Sequence, residues 1–207
     1  MGGPRGLIRP IVAGQVGIAT LDMLSRLSNR IDSWAKGWLV LATIAAFAQV
    51  ANLPLVDPAL ISTSLDGRIA YTAEEAFSTI EAYSDAEREQ MIWIHVWDLA
   101  LIALYTSMLC LATARLFQRG FPHDSGARGL NLIPLLRGGL DVMENVWIVT
   151  MIIVYPARPG VLGWLASLFT TGKYLMGVPI VLLLLIGLVR AAMHGFRPYQ
   201  TDQEADV

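Results

Sequence analysis

The sequence predicts an all-α, polytopic membrane protein: a four-transmembrane-helix bundle, with an amphipathic N-terminal interfacial helix and an external loop helix. Hydrophobic residues make up 55% of the 207 positions and charged residues only 15%, whereas soluble domains usually carry about 25% charged residues. Mean hydropathy is +0.53. The stretch from Val181 to Val189 (VLLLLIGLV) has no polar face, although a helix of a soluble bundle would keep one.

The first predicted element is the amphipathic helix, in an N-terminal segment of residues 1–36. Apolar residues recur there every three or four positions: Ile18, Leu21, Leu24, Leu27, Ile31 and Trp34. Polar residues, Arg26 and Arg30 among them, fill the other face. Such a helix can lie in the membrane interface with its arginines among anionic headgroups, or it can pack on another protein. The sequence leaves both alternatives open.

The membrane domain, residues 37–195, contains four stretches close to the roughly 20 apolar residues that a helix needs to cross a bilayer. The predicted spans cover residues 38–55, 91–116, 132–155 and 161–189, and a C-terminal tail follows at 196–207. Tryptophans cluster near the ends of these spans, as in the aromatic belt of membrane proteins.

The first external loop, between the first two spans, carries a second helix signal. Thr72 and Glu75 have the spacing of a capping box, in which each side chain binds the backbone N–H of the other residue. The apolar residues that follow share one face of the helix: Ala76, Phe77, Ile80 and Tyr83. Ser84 and Glu87 repeat the capping box, so this pair is expected to begin the helix of the second span.

The distribution of Lys and Arg predicts the orientation, because cytoplasmic loops are enriched in them. Five lie in the N-terminal segment, while the first external loop has two against eight acidic residues and the last loop has Arg158 alone. Both termini are therefore expected on the cytoplasmic or matrix side. We expect an integral membrane protein of a plasma (inner) membrane or a mitochondrial inner membrane. Its partners would be the lipid bilayer and other membrane protein subunits or further copies of the chain.

A set of polar side chains interrupts the predicted spans. It consists of His95, Asp98, Arg137, Asp141, Glu144, Asn145 and Lys173. A charge at the bilayer centre costs a few kcal/mol, so such residues usually face the interior of a bundle and pair with one another. Asp141, Glu144 and Asn145 share one helix face, and a rise of about 1.5 Å per residue puts Lys173 at a similar depth. This set is either a structural polar network that fixes helix register, or a proton or cation relay, a pocket for a lipid headgroup or small ligand, or an acid–base site.

Two stretches resemble a family of uncharacterised four-span integral membrane proteins of prokaryotes and fungi. The first is Tyr71-Thr-Ala-Glu-Glu-Ala76, followed by Arg88 and Asp98; the second is Asp141-Val-Met-Glu144-Asn145, followed by Tyr155-Pro156 and Lys173. The resemblance implies a four-span fold in which the Asp, the Asp-x-x-Glu-Asn and the Lys form the intramembrane polar set. The chain departs from the pattern at Glu87-Arg88, where the family tends to have Gly-Arg. The resemblance implies no particular activity.

Composition and missing motifs restrict the chemistry. The net charge of −2 gives no basic field for nucleic acid, and the single cysteine, Cys110, cannot form an internal disulfide. No phosphate loop, His-Glu-x-x-His, Gly-x-Ser-x-Gly or Cys-x-x-Cys occurs. His95 is the only histidine in a predicted span, whereas a haem held between two helices would need two. We therefore expect no metal, cofactor or nucleic acid.

Three functions are compatible with these observations. The favoured hypothesis is a non-catalytic multi-pass protein that serves as a subunit or scaffold of a larger membrane assembly. The alternatives are a membrane enzyme that acts on a lipid, with His95, Asp98 and Glu144 as acid–base groups, and a proton- or ion-coupled carrier. Four spans without an internal repeat are few for a carrier, unless the chain forms oligomers.

Overall fold

The computed structural model describes residues 11–52 and 58–193, and within these ranges all regular structure is helical. The helices are α1 (Ile11–Trp34), α2 (Gly37–Ala51), α3 (Pro58–Thr63), α4 (Ala73–Ala82), α5 (Asp85–Gly120), a 3-10 helix (Gly126–Leu132), α6 (Ile133–Val154) and α7 (Gly160–Met193). The all-α fold class is therefore confirmed.

Two helices, α5 and α7, are long and apolar enough to cross a membrane by length and composition. Residues 18–34 and α2 meet at a bend of 91° and pass the same test only as a pair, which gives up to three candidate spans. The predicted span at 38–55 corresponds to α2, with residues 53–55 outside the described ranges, and the span at 132–155 corresponds to α6. α6 carries Arg137, Asp141 and Glu144 within 22 residues, and it is not among the candidates by this criterion.

Helices α5, α6 and α7 pack together, and α2 packs against α5. We call the packed helices α5, α6 and α7 the bundle. Small and polar side chains form the inner face of α7, where the buried positions are Gly163, Ala166, Thr170, Lys173, Ile180, Leu183, Gly187 and Ala191. The outer faces are apolar, with exposed side chains that include Leu168, Leu175, Val178, Leu182 and Val189 of α7 and Trp93, Val96 and Leu99 of α5. An extensive exposed apolar surface is typical of a protein that is surrounded by lipid.

Helix α4 covers one end of the bundle, and both predicted capping boxes are present. Thr72 N–H donates to Glu75 Oε2 at 2.7 Å, and Glu75 N–H donates to Thr72 Oγ1 at 3.1 Å; Ser84 and Glu87 form the same pair of bonds at the start of α5. The bond from Thr72 N–H holds the pKa of the Glu75 carboxyl below its usual value. The predicted apolar face of α4 is buried against Ile148, Met151, Ile152 and Ala166.

Helix α1 lies at the opposite end of the bundle and docks through polar contacts. Ser28 donates a hydrogen bond to Asn131 Oδ1 at 2.9 Å, Gln118 donates to the Asp32 carbonyl at 2.6 Å, and Arg128 forms an ion pair with Asp32 at 3.3 Å. Of the predicted apolar stripe only Ile31 is buried, while Ile18, Leu21, Leu24, Leu27 and Trp34 are exposed. The apolar face of α1 is therefore not covered by this part of the protein.

The junction of α4 with α7 requires a glycine at position 163. A Cβ at Gly163 would lie 2.6 Å from Ala73 Cα, whereas a Cβ at Gly177 of the same helix would meet nothing within 4 Å. We predict that Gly163→Ala lowers the free energy of unfolding by about 1–3 kcal/mol through overpacking. Gly177→Ala should leave stability unchanged or raise it by up to about 1 kcal/mol, because alanine is the better helix former.

Thermal unfolding of the purified chain in detergent, followed by circular dichroism, measures both variants. Equal midpoints for the two variants would show that α4 is not seated on α7 at Gly163.

Candidate functional site

A buried lysine lies among three carboxylates in the centre of the bundle. Lys173 Nζ is 2.8 Å from Asp141 Oδ1 and 2.5 Å from Glu144 Oε2, and it also forms an ion pair with Asp66. Lys173 is 5% exposed and Glu144 is fully buried. Glu144 Oε2 accepts no hydrogen bond from the described residues. Its contact with Lys173 is therefore an ion pair without a hydrogen bond. We call Lys173, Asp66, Asp141 and Glu144 the lysine cluster.

Helix geometry explains how α6 and α7 supply three members of the lysine cluster. Asp141 and Glu144 lie three residues apart on the buried face of α6, and Lys173 lies on the buried face of α7. The two helices are antiparallel and connected by a short loop. As their similar depths predict, the lysine faces both carboxylates.

Asp66 comes from the segment between α3 and α4, which runs along α7. The segment is held by hydroxyl side chains of that helix: Tyr71 N–H donates to Ser167 Oγ at 3.1 Å, Thr171 Oγ1 donates to the Ile69 carbonyl at 3.1 Å, and Tyr174 OH donates to the Asp66 carbonyl at 3.0 Å. These three bonds satisfy backbone groups that lack regular secondary structure. They also place the Asp66 side chain at the level of Lys173.

Hydroxyl groups surround the carboxylates of the lysine cluster. Thr170 Oγ1 donates to Glu144 Oε1 at 2.6 Å and lies 3.2 Å from the Tyr71 hydroxyl. Burial raises the pKa of Tyr71, so its hydroxyl stays protonated at neutral pH. Tyr105 OH donates to Asp141 Oδ2 at 2.5 Å. Each carboxylate of α6 therefore has one oxygen near the ammonium and one that accepts from a hydroxyl.

Arg137 does not join the lysine cluster directly. Its guanidinium carbon lies 4.7 Å from the centre of the Tyr105 ring, within the range of a cation–π contact. Arg137 therefore reaches Asp141 only through Tyr105.

His95, Asp98 and Asn145 form a second polar group beside the lysine cluster. Asn145 Nδ2 donates to Asp98 Oδ2 at 2.9 Å and to the His95 carbonyl at 3.3 Å. His95 Nδ1 lies 2.8 Å from the Met91 carbonyl, while the buried Nε2 atom has no hydrogen-bond partner among the described residues. Asp98 is thus tied to α6 through Asn145, without contact to Lys173.

The charges of the two groups and of the nearby Arg137 do not balance. Asp66, Asp98, Asp141 and Glu144 contribute −4 when ionised, and Lys173 and Arg137 contribute +2, so the formal sum is −2. Burying unbalanced charge is costly, so this region of the bundle attracts protons or cations.

The three carboxylates of the lysine cluster are close enough to consider a metal ion. One oxygen each from Asp66, Asp141 and Glu144 lie within 4.8 Å of one another. However, the Lys173 ammonium contacts all three carboxylates and would repel a metal ion among them. The lysine therefore takes the place of a cation at this point.

Asp66 is the site residue that the sequence did not reveal. It lies outside the predicted spans, among other acidic residues of the first external loop, so nothing in the linear pattern separates it from a solvated charge. Tyr71 and Thr170 were likewise not assigned to the polar set. The one available signal is the position of Thr170, three residues before Lys173 and therefore on the same face of the helix.

The chain was compared with known proteins. No family model, curated protein or solved structure matches it. The resemblance to four-span membrane proteins of prokaryotes and fungi therefore stays a prediction.

We predict that Lys173→Met destabilises the fold by about 3–5 kcal/mol, because it leaves the buried Asp141 and Glu144 and the partly exposed Asp66 without their counter-charge. Adding Glu144→Gln should recover part of the loss, and adding Asp66→Asn as well should recover more. Lys36, the only other lysine, is exposed, so Lys36→Met is the matched control and should unfold like the wild type.

Thermal midpoints in detergent rank these variants. If Lys173→Met is as stable as Lys36→Met, the ammonium does not compensate the carboxylates.

Proposed function

We propose that this chain is a four-span integral membrane protein that serves as a non-catalytic subunit or scaffold of a larger membrane assembly. The observation that carries the proposal is the lysine cluster, in which the most reactive buried groups bind one another. Glu144 has one oxygen near Lys173 and the other hydrogen-bonded to Thr170. Such an arrangement favours a fixed packing of helices over a role for Glu144 as an acid–base group, which would need a free carboxyl oxygen.

The side chains of α6 are oriented as expected for a membrane span, although the average composition of the helix is not typical of one. Its charged and amide residues Asp141, Glu144 and Asn145 are buried, while Leu135, Leu136, Met143, Val146 and Ile153 are exposed. Lipid would therefore meet a largely apolar surface, and the charges of Asp141 and Glu144 would face protein. Together with α2, α5 and α7, α6 completes the four-span bundle of the proposal.

The position of α1 supports an interfacial role for this helix. If α2 crosses the bilayer, the bend of 91° makes α1 parallel to the membrane surface. The exposed Ile18, Leu21 and Trp34 would then enter the boundary of the acyl chains. In this arrangement α1 and both termini lie on the cytoplasmic or matrix side of a plasma (inner) or mitochondrial inner membrane.

The outer surface of α2 supports a role in assembly. None of its 15 residues is buried in the described structure, and the helix has no charge. A helix that packs on one side of α5 and is otherwise free can accept a helix of another subunit or of a second copy. Small residues let membrane helices approach closely, and α2 has alanines at 42, 45, 46, 48 and 51.

A proton- or cation-coupled carrier is the second candidate, and the charge excess around Lys173 favours it. The Asp66 side chain is 41% exposed, so ions have access to one edge of the lysine cluster. The two candidates differ in what they predict for transport and for assembly.

The topology can be tested with cysteines in a Cys110→Ser background. Ser78 and His123 are exposed and lie at opposite ends of the bundle. We predict that Ser78→Cys is labelled by an impermeant thiol reagent in intact cells and that His123→Cys is labelled only after permeabilisation. The reverse pattern would contradict the orientation, and labelling of both without permeabilisation would contradict the four spans.

Two measurements separate the scaffold from the carrier. Native mass spectrometry of the full chain, purified in mild detergent, should give a complex with other subunits or copies in fixed stoichiometry. Proteoliposomes with a pH-sensitive dye inside should show no proton flux above protein-free liposomes. A monomeric chain that moves protons, with the flux abolished by Asp141→Asn and unchanged in Glu89→Gln, would overturn the scaffold in favour of the carrier.

A further inference from the structure

A cavity of about 230 Å³ adjoins the lysine cluster on the side of α5. Its polar lining consists of Ser64, Asp66, His95 and Asp98, and its apolar lining of Met91, Ile94, Trp97 and Leu101. The volume is sufficient for several water molecules or one small organic molecule. Asp66 thus has two neighbours, the Lys173 ammonium and this cavity.

Hydrogen-bond acceptors dominate the polar lining. The Met91 carbonyl can only accept, so the 2.8 Å contact requires that His95 Nδ1 carries the proton. In a neutral imidazole the other nitrogen is then an acceptor. His95 is 4% exposed, and its Nε2 atom has no partner among the described residues, which is a costly state for a buried polar atom.

The two carboxylates add further acceptor capacity. One oxygen of Asp98 is bound by Asn145 Nδ2 and one oxygen of Asp66 by Lys173 Nζ. No hydrogen bond to the second oxygen of either carboxylate is seen in the described part of the chain. Among the lining side chains, only the Ser64 hydroxyl and the Trp97 indole N–H can donate into the cavity.

A metal ion fits this lining poorly. In the ranges that the structure describes, the oxygens of Asp66, Asp141 and Glu144 form the one acidic or histidine group close enough to share an ion, and Lys173 already lies among them. His95, Asp66 and Asp98 are too far apart to meet one ion at the short distances of metal coordination. A cation that carries N–H donors binds through hydrogen bonds, which are longer than metal–ligand bonds and can pass through a bridging water, so it can serve acceptors that are further apart.

We propose that the cavity binds a primary ammonium group, R–NH3⁺. Its N–H donors match the acceptors of the lining, the Asp66 and Asp98 carboxylates and His95 Nε2, directly or through a bridging water, and its charge reduces the formal excess of −2. The apolar lining accommodates a short alkyl portion, and the Trp97 ring offers a face to the cation. The ammonium group can belong to a free small amine or to the headgroup of an aminophospholipid such as phosphatidylethanolamine.

The probe for the free amine is n-butylammonium chloride, added to the full chain in phosphatidylcholine nanodiscs. Tetramethylammonium chloride is the matched cation without N–H donors. We expect a saturable rise in the thermal midpoint with butylammonium and none with tetramethylammonium. Asp98→Asn should weaken the response at least tenfold, whereas Glu89→Gln, an exposed acid on the same helix, should leave it unchanged.

A wild-type measurement covers the case in which Asp98→Asn does not fold. In the ¹⁵N NMR spectrum of protein labelled at histidine, butylammonium should shift the resonance of unprotonated Nε2 of His95, because this atom gains a donor. Equal responses to the two cations, or no response of this resonance, would overturn the proposal.

Nanodiscs that contain phosphatidylethanolamine distinguish the two sources. If the lipid headgroup is the ligand, these nanodiscs should stabilise the chain without added amine and abolish the response to butylammonium. If a free amine is the ligand, the butylammonium response should persist in them. These results are independent of the scaffold proposal, which depends on assembly and not on this cavity.

Discussion

The structure depends on the placement of one buried ammonium group. Lys173 lies on the inner face of a helix whose outer face is apolar, so the counter-charges must come from the protein. Asp141 and Glu144 provide two of them, and this requirement fixes the register of α6 against α7. Sliding α6 by one turn, about 5.4 Å, would take at least one of these carboxylates away from the lysine and leave a buried charge uncompensated. Apolar side chains at the same positions would allow neighbouring registers at much lower cost.

The third carboxylate explains why the segment before α4 is ordered. Lys173 is the fourteenth residue of α7, so Asp66 reaches a level about 20 Å from the first residue of that helix. Irregular backbone at such a level needs hydrogen-bond partners from the protein. Ser167, Thr171 and Tyr174 supply them, at spacings of four and three residues along one side of α7. The ion pair and the hydroxyl groups therefore stabilise the segment together.

The sequence predicted the helices better than it predicted the site. Local signals such as the capping boxes at Thr72 and Ser84 depend on neighbouring residues, and the structure contains both. The meeting of Lys173 with Asp141 and Glu144 was predictable because helical rise converts sequence position into depth. Asp66 was not predictable in this way, since an irregular segment has no fixed rise and its path is set by contacts with α7. The position of the Arg137 side chain was not predictable for another reason. Its stacking on Tyr105 is decided by side-chain packing and not by sequence spacing.

The number of charged residues in α6 and the face on which they lie lead to different conclusions about whether this helix can span a membrane. The three charged residues in its sequence disfavour a membrane span. By length and composition the chain therefore has two to three candidate spans, and α6 is a span only in the proposal. Considered by face, Asp141 and Glu144 are buried, and the side chains that meet the surroundings are leucine, methionine, valine and isoleucine. The solvation cost of a helix in lipid is set by the groups that lipid contacts, so the exposed face is the relevant quantity. The lysine cluster thus makes α6 compatible with the membrane, because Lys173 and the hydroxyl groups compensate the acids that would otherwise exclude this helix from it.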